Sequence, residues 1–191
     1  CCQILDNINY FSNDRSCYFK IKIMNVSRKF FNNKKILIYG MGKSGFSSYH
    51  FLKKKNYIKI YDDKKKIIKN KSIKKFFLEK SKISKIKFDY IVISPGINVN
   101  KCNLKNYLKK NSQKIITDLD IFYSHYSKNK IITITGTNGK STTAKLLNLI
   151  LINHKLDARL CGNIGNPVLL EKNISKKTIF VIEASSYQID Y

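Results

Sequence analysis

The 191-residue sequence predicts an α/β protein in which parallel strands alternate with helices in two successive units. From Lys35 onwards, short runs of β-branched and aromatic residues alternate with longer stretches of helical character. Two of these runs pass directly into a glycine-rich turn and then into a helix-forming stretch, at 40–45 and at 136–142. A strand, a glycine-rich loop and a helix in this order are typical of α/β domains that bind phosphate groups.

The first unit is expected to be a Rossmann-like parallel-sheet domain, and its strands are short and strongly apolar. Strands are predicted at 36–39, 58–61, 90–93 and 114–116, with helices at 46–54, around 67–80 and at 104–110. A further short strand is predicted near 83–86. The 118–129 stretch is interpreted as a connection with some helix, so the boundary between the units is placed there.

The second unit is predicted to be the start of a P-loop-type α/β domain. It has a strand at 131–134, a helix at 141–153 and strands near 158–160 and at 178–182. Because a sheet of about three strands would expose much apolar surface, we interpret the sequence as truncated. The predicted domains are residues 24–124 and an incomplete unit at 125–191.

Residues 1–23 do not follow the strand–helix pattern. They begin without methionine and contain three of the five cysteines, Cys1, Cys2 and Cys17. Met24 then precedes a polar lead-in to the first strand. Our hypothesis is that Met24 is the native start and that 1–23 is a disordered or non-native extension.

The formal net charge of +25 would ordinarily indicate nucleic acid or another anionic partner. The positive charge, however, comes from 34 lysines and only three arginines, together with 29 isoleucines and 20 asparagines. Arginine is the usual residue for forked contacts with phosphates and bases. This composition indicates A/T-rich codon usage rather than a nucleic-acid interface, so nucleic acid is not expected as the main partner.

The five cysteines form no CxxC pair and no cluster with histidine at metal-ligand spacing. Reduced thiols in a cytoplasmic protein are the simplest interpretation. No apolar run approaches the roughly 18–20 residues of a membrane span, and the N-terminus has no signal-peptide core. We therefore expect a soluble cytoplasmic monomer without a membrane partner.

The second glycine-rich loop contains the residue types that hold phosphate groups. It comprises Gly136, Thr137, Asn138, Gly139, Lys140, Ser141 and Thr142. Backbone amides and the helix dipole would hold phosphate oxygens, Lys140 would add a positive charge, and Ser141 would reach a Mg²⁺ ion. The general P-loop has a further glycine at the position of Ile134, so this loop is a short variant. The alternative is an ordinary strand–turn–helix with a surface lysine.

The first glycine-rich loop, Gly40 to Gly45, matches the dinucleotide-binding fingerprint between a strand and a helix. Asp62 lies about 20 residues further on, at the end of the next strand, where an acid can accept hydrogen bonds from a sugar or a base. The pattern alone is typical of NAD sites. Its geometry selects a diphosphate, however, so a uridine diphosphate sugar fits the same loop. A purely structural role of the glycines is the third interpretation.

Three further residues lie where ligands bind in open α/β folds, and each has a structural alternative. Gly96 follows a predicted strand within Ser-Pro-Gly, which is also a common turn. Glu183 ends a strand of the second unit, where a magnesium-binding carboxylate would lie, although a glutamate at a strand end is more often structural. Asn163, within Gly-Asn-Ile-Gly, is either a substrate contact or a turn asparagine.

Taken together, these motifs resemble those of the Mur ligases, which act in peptidoglycan synthesis. The resemblance runs from about Lys35 to Tyr191. It rests on the two glycine-rich loops and on the segments 61–63, 93–97, 118–122, 162–167 and 183–188. The short phosphate loop is the variant that this family uses, and the Glu-x-Ser-Ser-Tyr/Phe-Gln segment favours its D-glutamate-adding branch.

The resemblance implies an ATP-dependent amide-bond-forming ligase that joins D-glutamate to UDP-N-acetylmuramoyl-L-alanine through an acyl phosphate. It implies that Gly42, Lys43 and Ser44 hold the diphosphate of this substrate and that Asp62 and Asp63 face its uracil. By the same resemblance, Gly96 lines that pocket and Asn163 contacts the muramoyl group.

For ATP, the resemblance implies that Thr137 to Thr142 wrap the phosphates. Lys140 is then the catalytic residue, bridging towards the γ-phosphate. Ser141 and Glu183 are implied to hold Mg²⁺.

The sequence also departs from the family pattern, because the rest of the central domain and the C-terminal domain are absent from it. The adenine contacts, the D-glutamate site and the modified lysine at a second metal belong to those parts. We therefore expect the 191-residue chain alone to be inactive. The alternatives are a non-catalytic UDP-sugar-binding module, another Mur ligase, and a general ATPase or NAD-dependent enzyme. A nicotinamide enzyme has no need of the second loop.

Overall fold

The computed structural model describes residues 31–64 and 71–185. The predictions about 1–23 and Met24, the first part of the predicted helix around 67–80, and the 186–188 end of the last motif lie outside these ranges. The described chain divides into two compact units, one formed by 31–127 with 167–171 and the other by 128–166 with 172–185. No helix in these ranges combines the length and the hydropathy that a membrane span would need.

The first unit contains a four-stranded parallel sheet in the order β2-β1-β3-β4. Its strands are β1 (Lys35–Tyr39), β2 (Tyr57–Tyr61), β3 (Tyr90–Ile93) and β4 (Ile115–Ile116). These bounds confirm the four predicted strands. Because β2 and β3 pair with opposite edges of β1, the strand order reverses there. In open α/β sheets, ligands bind at the carboxyl ends of the strands beside such a reversal.

Both faces of this sheet are buried, as a parallel sheet with helical crossovers requires. Ile36 and Ile38 alternate along β1 with Leu37, and all three side chains are 0% exposed. On the face of Leu37, the core is completed by Ile83, Phe88, Ile91, Ile93, Leu104 and Leu108. The helices α1 (Lys43–Leu52) and α4 (Lys105–Lys110) confirm two predicted helices.

The predictions for the lysine-rich stretch after β2 were wrong in two places. Instead of one helix to residue 80, the described part contains two single-turn helices, α2 (Lys71–Lys74) and α3 (Lys80–Ile83). Between them the chain follows the free edge of β2. There Ile60 N donates to Phe76 O at 2.9 Å, and Leu78 N donates to Ile60 O at 2.8 Å. This edge pairing interrupts the helix.

The strand predicted near 83–86 is also not formed. Ile83 is the last residue of α3, and its side chain is 1% exposed in the core of the first unit. Ile86 N donates to Ile83 O at 3.3 Å, which is a turn geometry. Ile83 therefore ends a helical turn and Ile86 lies in the turn that follows it, so the two residues do not belong to a strand.

The sequence predicted a connection with some helix at 118–129. Most of this stretch forms the helix α5 (Asp118–His125). Its N-cap is Thr117, whose backbone N–H donates to Asp120 Oδ2 at 2.7 Å, while Asp120 N donates to Thr117 Oγ1 at 3.3 Å. This reciprocal capping box satisfies two backbone donors at the start of the helix. Leu119 and Phe122 are buried at 3% and 0% exposure. The 118–122 motif therefore has a clear structural role.

The second unit contains a three-stranded parallel sheet in the order β5-β7-β6. Its strands are β5 (Lys130–Ile134), β6 (Ala158–Gly162) and β7 (Ile179–Glu183), which confirm the three predicted strands. The helix α6 (Lys140–Asn153) packs against all three strands, with Ala144 and Val181 fully buried between them. The exposed large apolar residues of this helix are Leu146, Leu149, Ile150 and Ile152.

Residues 167–171 pack with the first unit, although they lie between β6 and β7 in the sequence. The 3₁₀ turn Val168–Leu170 contacts α1 and α5, and Val168 and Leu169 are buried at 1% and 5% exposure. We predicted that all of 125–191 belongs to the second domain. The sequence did not indicate that residues 167–171 pack with the first unit. Two buried aliphatic side chains after a proline provide no local signal of the unit that they join.

Candidate nucleotide-binding sites

The glycine loop after β1 is closed by a contact that only glycine permits. A Cβ at Gly45 would lie 1.8 Å from the carbonyl oxygen of Gly40, far inside van der Waals contact. The first turn of α1 therefore packs directly on the backbone at the end of β1. The hydroxyl of Ser94, which follows β3, donates to the same Gly40 carbonyl at 2.8 Å. The loop is thus held by its own helix and by the neighbouring strand.

Asp62 holds the same loop from the end of β2. Met41 N donates to Asp62 Oδ2 at 2.7 Å, and Lys64 N donates to Asp62 Oδ1 at 2.8 Å. The sequence predicted that this carboxylate accepts hydrogen bonds from a sugar or a base. An ionised carboxylate has about four acceptor positions, so these two backbone donors leave capacity for a ligand. Asp62 therefore fixes the loop and still offers acceptors at its edge.

The N-terminus of α1 is open towards an anion. Gly42 is its N-cap residue, no side chain caps the helix, and a Cβ at Gly42 would meet no atom within 4 Å. The first backbone N–H groups of a helix have no partner within it, and the helix dipole favours negative charge there. Lys43 is exposed at this position, and Ser44 Oγ is buried without a hydrogen-bond partner. These features suit a diphosphate.

Asp63 lies next to Asp62 and is exposed, yet both oxygens of its carboxylate are held. The Tyr39 hydroxyl donates to Asp63 Oδ2 at 2.7 Å, and Asn103 Nδ2 donates to Asp63 Oδ1 at 2.9 Å. The two donors come from different elements, the end of β1 and the segment before α4. The carboxylate is therefore fixed in direction at the carboxyl edge of the sheet.

Gly96 is exposed in the turn after β3, and a Cβ there would meet no atom within 4 Å. The fold thus brings the predicted substrate residues of the first unit to one edge of one sheet. These are Gly42, Lys43, Ser44, Asp62, Asp63 and Gly96.

Tyr39 and Asn103 were not predicted as site residues. Tyr39 ends a buried strand, and the available signal was its hydroxyl, because a buried tyrosine usually finds a hydrogen-bond partner. Asn103 has no local signal, since only the fold brings it to Asp63. Asn103 also lines a cavity of about 480 Å³, which none of the predicted site residues lines. The other polar residues of that cavity are Lys80, Ser84, Lys105, Asn106 and Tyr107.

The loop of the second unit begins after β5 and ends at the first turn of α6. Gly139 is the N-cap residue of α6 and has a φ of +74°, a left-handed conformation that favours glycine. Lys140 turns back over the loop, where its Nζ donates to the carbonyl oxygens of Gly136 at 2.7 Å and Thr137 at 3.1 Å. An ammonium group has three donors, so a further one remains for a phosphate oxygen. Asn138 is exposed in the loop, and Ser141 and Thr142 lie in the first turn of the helix.

Glu183 ends β7 beside the start of this loop, in register with Ile134, the last residue of β5. Its side chain is buried, and Glu183 Oε2 has no hydrogen-bond partner. The hydroxyl of Thr135, the residue after Ile134, is likewise buried without a partner. A buried carboxylate oxygen is costly unless it is compensated, and a hard cation prefers such oxygen ligands.

This donor set fits a Mg²⁺ ion. Within 31–64 and 71–185, no group of three or more His, Cys, Asp or Glu residues could hold a metal by itself. A Mg²⁺ site here would therefore need a hydroxyl such as that of Ser141, together with phosphate oxygens and water. Mg²⁺ commonly binds in this way, through one or two carboxylates plus substrate phosphates.

Asn163 lies in the second unit, in the turn after β6. Asn163 N donates to the carbonyl oxygen of Glu183 at 2.9 Å, and the Asn163 residue is exposed. The preceding Gly162 has a φ of +108°, and a Cβ there would lie 2.2 Å from Glu183 O. The backbone of the Gly-Asn turn therefore supports the end of β7. Asn163 belongs to the second unit, whereas the other predicted substrate residues belong to the first unit.

Each unit has the same construction, in which a parallel strand leads through a glycine-rich loop into an open helix N-terminus. Fold and sites together define an α/β protein with two candidate phosphate-binding loops on one chain. Beside the second loop, one carboxylate oxygen of Glu183 is buried without a hydrogen-bond partner.

Comparison with known proteins identifies the family. Residues 34–116 match the model of the Mur ligase MurD-like N-terminal domain, and residues 134–191 match that of the Mur ligase middle domain. The two matches cover both units, and the chain belongs to the Mur ligase family. This confirms the resemblance that the motifs indicated.

Curated relatives point to one branch of this family. The chain is 36% identical over 166 residues to a UDP-N-acetylmuramoylalanine–D-glutamate ligase from Rickettsia prowazekii, covering 84% of this chain and 36% of the relative. It is also 36% identical over 168 residues to the enzyme of the same name from Caldicellulosiruptor saccharolyticus, covering 82% of this chain and 37% of the relative. The chain thus spans little more than a third of the length of these relatives.

A solved structure is also similar. It is the UDP-N-acetylmuramate:L-alanyl-gamma-D-glutamyl-meso-diaminopimelate ligase from Neisseria meningitides, with a TM-score of 0.48 and 18% sequence identity. The match covers 80% of this chain and 52% of that chain.

Proposed function

We propose that this chain provides the uridine-nucleotide site and the ATP phosphate site of an ATP-dependent ligase that joins D-glutamate to UDP-N-acetylmuramoyl-L-alanine. The observation that supports this most strongly is the presence of two different open helix N-termini after glycine-rich loops on one chain. A reaction between a nucleotide-linked sugar acid and ATP needs two such sites. The names of the curated relatives supply the substrates.

In this proposal the first loop holds the diphosphate of the sugar nucleotide. The amides at the start of α1, with Lys43 and the unpartnered hydroxyl of Ser44, are suited to the phosphate oxygens. The close approach of a phosphate to the backbone at Gly42 is possible because this residue has no side chain. Asp62 and Asp63 offer fixed acceptors to the uridine, and Gly96 leaves space in the same pocket.

The second loop would hold ATP. The backbone from Thr137 to Thr142 is suited to the phosphates, and Lys140 lies over the loop with one donor to spare. Ser141 and Glu183 would hold Mg²⁺, which when bound neutralises charge on the phosphates. Asn163 offers an exposed side chain to the muramoyl part of the substrate.

The proposed reaction has two steps. A carboxylate oxygen of the sugar substrate attacks the γ-phosphorus of ATP, the bond to the β-phosphate oxygen breaks, and an acyl phosphate and ADP form. The unprotonated amine of D-glutamate then attacks the acyl carbon, the bond from this carbon to the phosphate oxygen breaks, and inorganic phosphate leaves while the nitrogen loses a proton to water. In this reaction the loop would position the phosphates of ATP, and Lys140 would neutralise part of their negative charge. Such a reaction would take place in the cytoplasm, where ATP is supplied.

Calorimetric titration tests the substrate assignment. UDP-N-acetylmuramoyl-L-alanine and NAD are titrated separately into the 191-residue chain. We expect one molecule of the UDP-sugar to bind per chain and NAD to bind at least tenfold more weakly, because nothing in the proposal engages a nicotinamide. Tighter binding of NAD than of the UDP-sugar would contradict the proposal and favour a nicotinamide enzyme.

A further inference from the structure

Tyr39 is a polar residue at a position where the fold requires burial. It is the last residue of β1 and is 0% exposed, and its ring packs against that of Tyr61 with centroids 5.3 Å apart. A buried hydroxyl costs free energy unless it is hydrogen-bonded. Here the hydroxyl reaches out of the core to Asp63 Oδ2 at 2.7 Å. The phenol therefore connects the rigid core to an exposed carboxylate.

The direction of this hydrogen bond is fixed. Burial raises the pKa of Tyr39 above its usual value, and the hydrogen bond with Asp63 raises it further. A raised pKa keeps the phenol protonated throughout the neutral range. Tyr39 is therefore the donor and Asp63 the acceptor whenever the carboxylate is ionised.

Asn103 completes the arrangement from the other side. Its Nδ2 donates to Asp63 Oδ1 at 2.9 Å, and the residue is exposed. An exposed aspartate would otherwise populate several rotamers, and ordering it on ligand binding costs conformational entropy. Two donors from separate elements remove that freedom before any ligand binds. The remaining acceptor positions of Asp63 then point in one fixed set of directions.

We propose that Tyr39 and Asn103 are positioning residues that preset the Asp63 carboxylate to select uracil among nucleobases. The inference rests on the proposed function, in which Asp63 faces the uracil of the sugar nucleotide. A carboxylate can only accept hydrogen bonds. Uracil offers its imide N–H donor where cytosine has a bare ring nitrogen, which is itself an acceptor. A fixed acceptor facing an acceptor disfavours cytosine, whereas a mobile carboxylate could turn away.

The test compares UDP and CDP as probes, titrated into the 191-residue chain and into two variants. Tyr39→Phe removes one hydroxyl from the core, and Asn103→Ala removes the exposed donor. We expect each variant to bind UDP about threefold to tenfold more weakly, as the loss of one hydrogen bond predicts. CDP affinity should change less, so the ratio of UDP to CDP affinity falls. A purely structural role would not change this ratio.

Matched controls separate positioning from stability. Tyr49→Phe makes the same chemical change at another buried tyrosine of the first unit, which packs on Phe76. Asn106→Ala makes the same change at an exposed asparagine of α4. Both controls should keep the wild-type affinity for UDP and the wild-type ratio.

The outcomes distinguish this inference from the proposal on which it rests. If the wild-type chain binds UDP and both variants keep its affinity and its preference over CDP, the positioning role is overturned while the uridine site stands. If the wild-type chain does not bind UDP, the proposed function fails and the inference fails with it. If both variants bind UDP more weakly and the ratio of UDP to CDP affinity falls, the positioning role and the uridine site are both supported.

Discussion

Replacing Lys140 with alanine is expected to lower the affinity of the chain for MgATP by about tenfold to a hundredfold, the range for loss of a charged hydrogen-bond donor. Two losses combine in this variant. The positive charge that faces the phosphates is removed, and so are the hydrogen bonds from Nζ to Gly136 O and Thr137 O that close the loop. Calorimetric titration of MgATP into the wild-type chain and the variant measures the change.

The matched control is Lys145→Ala, which removes the same charge from an exposed side chain of the same helix. It should change MgATP affinity by less than about threefold, because only a long-range electrostatic contribution is lost. Equal effects of the two substitutions would show that general positive charge, and not the loop, attracts the nucleotide. That result would contradict the ATP site assigned to 136–142.

Gly45→Ala is expected to destabilise the first unit by about 3 kcal/mol, at the upper end of overpacking costs. The added Cβ would lie 1.8 Å from Gly40 O, and this contact is with backbone, so no side-chain rotation can relieve it. The helix must move away from the loop, which also disturbs the hydrogen bond from Ser94 to the same carbonyl. Urea unfolding followed by circular dichroism measures the loss.

Gly42→Ala is the matched control for this prediction. A Cβ at Gly42 meets no protein atom within 4 Å, so the unfolding free energy should change by less than about 1 kcal/mol. In the proposed function the same methyl group would occupy the space of the diphosphate, so UDP affinity should fall in this stable variant. Equal destabilisation by the two substitutions would be inconsistent with the packing described for Gly45.

The strands and the two glycine loops could be predicted because their signals are local. A strand buried on both faces is a short continuous apolar run, as at Ile36 to Ile38, and each loop lies where such a run ends. The helix after each loop begins at the predicted turn. The binding roles of the loop residues remain predictions until ligands are tested.

Features that depend on distant partners could not be predicted. Phe76 and Leu78 belong to an apolar run that suits a helix equally well, and pairing with the free edge of β2 decides their conformation. Val168 and Leu169 join the first unit through contacts that their own sequence does not specify.

The same reason explains the two residues that were not predicted at the carboxyl edge of the first unit's sheet. Asn103 lies 40 residues from Asp63 in the sequence, and only the crossover after β3 brings the two together. Tyr39 fits the apolar pattern of β1, so the pattern conceals its polar function. Conversely, part of the 118–122 motif is explained by the capping box that Asp120 forms with Thr117.

If the chain has two independent nucleotide sites, both can be occupied at the same time. MgATP is titrated into the chain already saturated with UDP-N-acetylmuramoyl-L-alanine, and the number of bound molecules of each ligand is measured. We predict one molecule of each ligand per chain, with Lys140→Ala weakening only the binding of MgATP, by about tenfold to a hundredfold. Competition, in which MgATP displaces the UDP-sugar from a single shared site, would contradict the presence of two independent sites.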